Sequence, residues 1–371
     1  MSRSPIDLAA PGVREINPYQ PGKPIDELER EYGISNSIKL ASNENPLGPG
    51  AEVLAAIAKA APESALYPDG NGFHLKEALA ARHNVGIDRI TLGNGSNDVL
   101  VLLAEAFLTP ELEAIYSQYA FAVYPLAVQA VGAEAKVSAA QPGDSLSPLG
   151  HDLHEMEALI SDKTRLIFIA NPNNPTGTWI KSRELRDFIE LVPDHALVVV
   201  DEAYFDYLEE HDYPDTSQWL DDFPNLVVTR TFSKAYGLAG LRIGYSLSHP
   251  EVANVLNRIR QPFNVNSLAL EAARAALRDK THLQRSVAMN NEQRDIVAAG
   301  LKDLGLKFIP SVANFILVDM GRPAMPIYEG LLHQGVIVRP VGNYGLPEHL
   351  RISIGTPKES KRLLDALRQV L

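Results

Sequence analysis

The chain has 371 residues, 45% of them apolar and 22% charged, and 34 Lys and Arg against 46 Asp and Glu give a formal charge of −12. That length exceeds one ordinary core, so two packed domains are expected. The acidic balance argues against a nucleic-acid partner, whose phosphates need a basic face, and the lack of cysteine excludes disulfides, thiolate metal sites and a cysteine nucleophile.

No apolar run is long enough to span a bilayer. Met1-Ser-Arg-Ser-Pro5 has no apolar core like that of a signal peptide, so a cytoplasmic protein without a membrane partner is expected. Residues 1–45 carry Pro5, Pro11, Pro18, Pro21 and Pro24 around a short helical stretch at 25–32, which reads as an arm. Asn43-Glu-Asn-Pro-Leu-Gly-Pro-Gly50 is a turn cluster. Helical periodicity follows at 53–60 and 73–83, joined by the loop Leu66-Tyr-Pro-Asp-Gly-Asn-Gly72.

From residue 89 short apolar runs alternate with helices, the pattern of a mostly parallel α/β sheet. Arg89-Ile-Thr-Leu92 runs into Gly93-Asn-Gly-Ser-Asn-Asp98 and a helix at 99–107. Arg165-Leu-Ile-Phe-Ile-Ala170 runs into Asn171-Pro-Asn-Asn-Pro-Thr-Gly177. Ala196-Leu-Val-Val-Val200 meets Asp201-Glu-Ala-Tyr204, and Leu226-Val-Val-Thr229 meets a glycine-rich stretch through Gly244. Four strands thus end in polar residues at their carboxyl ends, where open α/β sheets bind ligands.

Ser248-His-Pro-Glu251 reads as a capping box for a helix to about 260. Further helices are expected at 267–278 and, behind Thr281-His-Leu-Gln284, on to Leu304 with Gly305 as the stop. Strands at 314–318, 336–339 and 350–354 form a smaller sheet, and Thr356-Pro-Lys-Glu359 caps the last helix. The expected fold class is α/β, with a mostly parallel sheet between helices plus a smaller α+β domain. The boundaries are an arm at 1–45, a large domain at 46–263 and a small domain at 264–371.

Gly93 to Asp98 resembles a dinucleotide fingerprint, yet Asp98 replaces its third glycine and no ribose-binding acid follows. Physically it presents the N–H groups of Ser96 and Asn97 at a helix start, which suits any phosphate; a plain Ser96 cap is the alternative. His151 and His154, at i and i+3, lack a third ligand and read as a surface pair, so no metal is expected. Asp201 is a carboxylate directly after Leu-Val-Val-Val, where burial needs a partner. Lys234 and Arg242 are two cations beside the hydroxyls of Thr231 and Ser233, a grouping suited to an anion.

Asn174-Pro-Thr-Gly177, Asp201-Glu-Ala-Tyr204, and Ser233-Lys234 followed eight residues later by Arg242 together resemble the fold type I pyridoxal-phosphate aminotransferases, over nearly the whole chain. A narrower resemblance, to the histidinol-phosphate aminotransferase subgroup, is carried by Asn17-Pro-Tyr19, Leu40-Ala-Ser-Asn-Glu-Asn-Pro46, Tyr67-Pro-Asp69, Phe232-Ser-Lys-Ala-Tyr-Gly-Leu-Ala-Gly-Leu-Arg242 and Leu350-Arg-Ile-Ser-Ile-Gly355. It implies amine transfer from histidinol phosphate to 2-oxoglutarate in histidine biosynthesis. An aromatic aminotransferase or a phosphothreonine-type decarboxylase is the alternative. An NAD-binding oxidoreductase would leave Lys234 unexplained.

The resemblance implies pyridoxal phosphate held covalently by Lys234, which then moves a proton between the substrate α-carbon and the cofactor. Asp201 is implied to keep the ring nitrogen protonated, and Asn174 and Tyr204 to hydrogen-bond the ring oxygen. Ser96, Asn97, Thr231, Ser233 and Arg242 would hold the phosphate. Tyr67 would reach it from a second subunit, so a homodimer with the active site at its interface is implied. Phe121 is the expected stacking ring, with Tyr119 and Tyr124 as alternatives. Arg351 would bind the anionic group of the amino donor or the 2-oxo acid, with Arg339 and Tyr19 as further candidates.

Overall fold

The computed structural model describes residues 4–18 and 22–371. Behind the arm, a two-residue strand β1 (Ile38–Lys39) precedes the strands of a seven-stranded sheet. These are β2 (Ile90–Gly93), β3 (Glu113–Ser117), β4 (Glu134–Ser138), β5 (Thr164–Ala170), β6 (Leu197–Asp201), β7 (Leu226–Thr231) and β8 (Gly244–Ser248), in the spatial order β2-β8-β7-β6-β5-β3-β4. Pairing from β7 through β4 is parallel, and β8 runs antiparallel to both β7 and β2. The reversal at β8 has a local cause. The connection across 232–243 holds only the one-turn helix Ala239–Leu241, too little to carry the chain over a sheet face for a parallel return.

The apolar runs are continuous because both faces of this sheet are covered. Ile167, Val198, Val200 and Val228 enter the core on one face, while Leu166, Phe168, Val199 and Val227 enter the core on the other. Helix Ser267–Arg278 packs its alanines into the first of these cores. Among the strands that escaped the sequence reading, which also include β1, β8 and the later strand Lys307–Ile309, two did so for a clear physical reason. β3 opens on Glu113, and the edge strand β4 is largely exposed, so neither shows a clean apolar run.

The second sheet is antiparallel, built from β9 (Lys307–Ile309) and β10 (Phe315–Asp319), then, after β11 (Val336–Ile337), from β12 (Arg339–Pro340) and β13 (His349–Ser353), in the order β12-β13-β10-β9. The run expected as one strand at 336–339 is therefore split in two. β11 pairs in parallel with β1, and the Leu40 N–H donates to the Ile337 carbonyl at 2.7 Å, so the end of the arm is bonded to the C-terminal part.

Three sequence readings of local detail change. The helix Pro250–Ile259 is capped by the His249 ring accepting the Glu251 N–H, not by a Ser248 box. The helix Lys280–Asp303 is capped by Asp279, not by a Thr281 box. His151 is buried with its ring nitrogen on the Ala170 carbonyl at 2.8 Å, whereas His154 is solvated, so they are not a surface pair. Among the described residues no cluster of His, Cys, Asp or Glu could hold a metal, and no helix is long and apolar enough to cross a membrane.

The capping box at Thr356 is present as read: its N–H donates to Glu359 Oε2 at 2.7 Å and its hydroxyl accepts the Glu359 N–H. Replacing Thr356 by Ala is expected to cost about 1 kcal/mol, seen as a lower urea midpoint.

Candidate active site

The carboxyl ends of β5, β6 and β7 lie side by side, with the amino end of β8 and the start of helix Ser96–Phe107 beyond them. Between these ends and the second sheet is a cavity of about 350 Å³. Ser96, Asn97, Phe121, Asn174, Asp201, Tyr204, Thr231, Ser233, Lys234, Arg242 and Arg351 all line it. Residues dispersed over more than 250 positions thus share one wall. Of the remaining sequence candidates, Arg339 is buried opposite Arg351 in the β12–β13 register and lines no part of the cavity. Tyr67 is 83% exposed and stacks on Phe263, and Tyr19 lies outside the described residues.

Asp201 is the last residue of β6, and the register sets it beside Thr229 of β7. Thr229 donates its hydroxyl proton to Asp201 Oδ1 at 2.9 Å, and Tyr124 donates to Oδ2 at 2.9 Å. Burial raises the carboxyl pKa, while these two hydroxyls, the Ala203 N–H and the charge of Lys234 pull it back toward the ionised form.

This also separates the three aromatic candidates. Tyr124 is fully buried, stacked on Phe168, and serves as the hydroxyl partner of Asp201. Tyr119 packs against the small sheet side. Phe121 alone of the three lines the cavity.

Lys234 Nζ donates to the Ser42 carbonyl at 3.4 Å and sits 5.7 Å from the Tyr204 ring centre. Burial lowers its pKa to about 8, with the Arg351 charge acting the same way and Glu44 opposing. Arg351 donates from Nη1 to Asn174 Oδ1 at 2.6 Å and from Nη2 to the Ala41 carbonyl at 2.7 Å. Tyr204 accepts from Asn43 Nδ2 at 2.9 Å, so its own proton is left for another acceptor, and burial raises its pKa to about 12.

At the far end, helix Ser96–Phe107 has Gly95 as its N-cap with no side-chain cap. No acceptor among the described residues takes the N–H of Ser96 or Asn97. A Cβ on Gly95 would collide with the Arg242 guanidinium, and one on Gly244 with the Ser96 backbone. Arg242 itself takes a left-handed backbone, φ 56°, and donates to the Ala239 carbonyl at 3.0 Å. Backbone donors, the Thr231 and Ser233 hydroxyls and a guanidinium therefore face one small space, an arrangement that takes an anion.

Sequence reasoning missed Asn43 and Tyr124 as supports. Asn43 binds Tyr204 and Ser353 while its backbone carbonyl takes Asn314. The only available signal was its place within Leu40-Ala-Ser-Asn-Glu-Asn-Pro46.

The family model for aminotransferase class I and II matches residues 35–367. The chain belongs to that family. Within it, histidinol-phosphate aminotransferase 2 of Pseudomonas fluorescens strain Pf0-1 is 56% identical over the whole chain and 99% of that protein. The protein of that name from Methylococcus capsulatus is 54% identical, covering 98% of each chain. Among solved structures, the histidinol-phosphate aminotransferase of Sinorhizobium meliloti in complex with pyridoxal-5'-phosphate superposes with a TM-score of 0.88 at 30% identity, over 97% of this chain and 96% of that one.

For this family member, Lys234 is expected to become neutral around pH 8 in the ligand-free protein. Because the unfolded lysine holds its proton to about 10.4, the unfolded state binds more protons between those values and stability rises with pH there. A pH series of amine-selective labelling, read by mass spectrometry at Lys234, checks the titration. Labelling that rises only above pH 10 would show an unperturbed amine.

Proposed function

We propose that the chain is a pyridoxal-phosphate-dependent aminotransferase that moves the amine of histidinol phosphate to 2-oxoglutarate, giving imidazole-acetol phosphate and glutamate. The observation that carries this reading is one cavity holding a pKa-lowered lysine, a buried carboxylate and a separate anion cradle. The residues present fit the cofactor. The uncapped helix start, the two glycine contacts at Gly95 and Gly244, and Arg242 suit a phosphate, and Asp201 at the opposite side suits a protonated ring nitrogen.

When bound, pyridoxal phosphate supplies an electron sink for negative charge at the substrate α-carbon. The chain does the rest. Lys234 would hold the cofactor covalently, and its amine would serve as the group that takes and returns the proton of the substrate α-carbon. Its burial disfavours the charged ammonium, which favours the neutral amine that a base requires. Asp201 would keep the ring nitrogen protonated through its buried carboxylate, which Thr229 and Tyr124 hold in place. Asn174 has its oxygen committed to Arg351, so its Nδ2 is the donor left for the ring oxygen, alongside the Tyr204 hydroxyl. Phe121, on the cavity wall, would cover a ring face.

Arg351 binds the substrate anion. A planar guanidinium takes either carboxylate or phosphate, which lets one residue serve both half-reactions. The subgroup reading draws support from relatives above 50% identity whose names carry this activity. Tyr67 and Phe263 form an exposed aromatic pair, and Tyr67 is proposed to complete the phosphate site of a second copy in a cytoplasmic homodimer.

The test is turnover of histidinol phosphate, phenylalanine and phosphothreonine by the purified holoenzyme. Histidinol phosphate is expected to give the highest kcat/KM; preference for either of the others replaces this substrate. A visible absorption band should vanish on borohydride reduction with the added mass on Lys234. Lys234→Ala is expected to abolish transfer. Arg351→Ala, losing two charge-assisted hydrogen bonds, is expected to raise KM by on the order of tenfold to a hundredfold.

A further inference from the structure

Lys234 has a long side chain, and among the described residues the one acceptor its amine reaches, the Ser42 carbonyl, lies 3.4 Å away. Its aim must therefore come from the backbone turn that carries it. That turn is tight: the Gly237 N–H donates to the Lys234 carbonyl at 2.9 Å, and Gly237 takes a φ of 73°. Tyr236, between them in the same turn, is buried beside Phe232 with ring centres 5.0 Å apart. Its hydroxyl donates to Asp206 Oδ1 at 2.9 Å.

The same carboxylate oxygen accepts Arg82 Nη2 at 3.1 Å. Asp206 belongs to the one-turn helix Phe205–Tyr207, directly after Asp201-Glu-Ala-Tyr204. Arg82 is in the last turn of helix Phe73–His83, downstream of the Tyr67 loop. One carboxylate therefore joins the turn bearing Lys234, the segment bearing Asp201 and Tyr204, and the helix behind the Tyr67 loop. Neither Asp206 nor Tyr236 lines the cavity, and phenylalanine would fill the Tyr236 ring site as well as tyrosine does. What the hydroxyl adds is a fixed distance between the two catalytic turns.

We propose that Asp206 and Tyr236 are positioning residues for Lys234, their hydrogen bond setting where the lysine amine stands relative to Asp201 and Tyr204. The proposal rests on Lys234 carrying the cofactor and the proton. A misplacement of about 1 Å at a reacting group can cost on the order of a hundredfold in rate, so a small loosening of this turn is visible in kcat before it is visible in folding.

The experiment compares Tyr236→Phe, Asp206→Asn and the double variant as full-length holoenzyme. Both single variants are expected to lose about tenfold or more in kcat with KM within about twofold, and the double variant to be no worse than the worse single. A second readout uses the cofactor-free protein: the rate at which pyridoxal phosphate attaches to Lys234 at pH 8 should fall in parallel. If Tyr236→Phe lowers the melting temperature yet keeps kcat and attachment rate within about twofold of wild type, the pair is only structural and the proposal is overturned. Should Asp206→Asn fail to fold, Tyr236→Phe decides alone. A wild-type protein that attaches no pyridoxal phosphate at Lys234 overturns the function itself, an outcome separate from normal attachment unchanged by the variants.

Discussion

A buried carboxylate at the end of a wholly apolar strand is the constraint on which the site depends. Left unpaired, Asp201 would cost several kcal/mol. The protein answers with two hydroxyls, Thr229 from the next strand and Tyr124 from the helix over the sheet. Each answer fixes something else. Thr229 requires the parallel β6–β7 register, and that register delivers Thr231, Ser233 and Lys234 to the same end of the sheet. Tyr124 requires its helix to dock on Phe168, which leaves Phe121 at the cavity wall.

The neighbouring pair of residues does the opposite job. Arg230 donates to Glu202 Oε2 from Nε at 2.9 Å and Nη2 at 2.7 Å, and also reaches Asp215 at 2.6 Å. Its guanidinium lies 3.5 Å from the Phe205 ring centre. Thr229 and Asp201 serve the cavity while the next residue of each segment, Arg230 and Glu202, closes a buried ion pair, as alternation along a strand dictates. Removing one member would strand the other charge at about 3–5 kcal/mol.

The two sheets meet through hydrogen bonds as well as through apolar contacts, where Phe315 packs on Tyr204 and Tyr207 and Leu317 shares a cluster with Tyr119. Arg351 of β13 binds Asn174 after β5, and Asn314 binds the Asn43 carbonyl. Asn43 in turn reaches Tyr204 and Ser353. The segment at 41–45 is thus a polar bridge between the large sheet and the small one, and Ser42 and Glu44 line the cavity beside Lys234.

Much of this was legible in sequence because it is local. The helices Ile25–Tyr32, Phe73–His83 and Ser267–Arg278 follow from periodicity, and the strands running into Asn171, Asp201 and the Lys234 stretch follow from uninterrupted apolar runs. A carboxylate after four apolar residues and a lysine among glycines are anomalies a single chain displays unaided. The split at Val338, the His249 and Asp279 caps, and burial of His151 were not displayed, because each depends on what packs against it.

The same limit divides the site. The chain by itself singled out the candidate residue types, since Lys234, Asp201, Asn174 and Arg242 stand in short motifs with their own spacing. Only the tertiary structure decided that Phe121 and not Tyr124 faces the cavity, that Asn174 answers to Arg351, and that Arg339 stands outside. Those are choices among chemically equal side chains, made by strand register and helix docking across long separations in the chain. No local pattern encodes them.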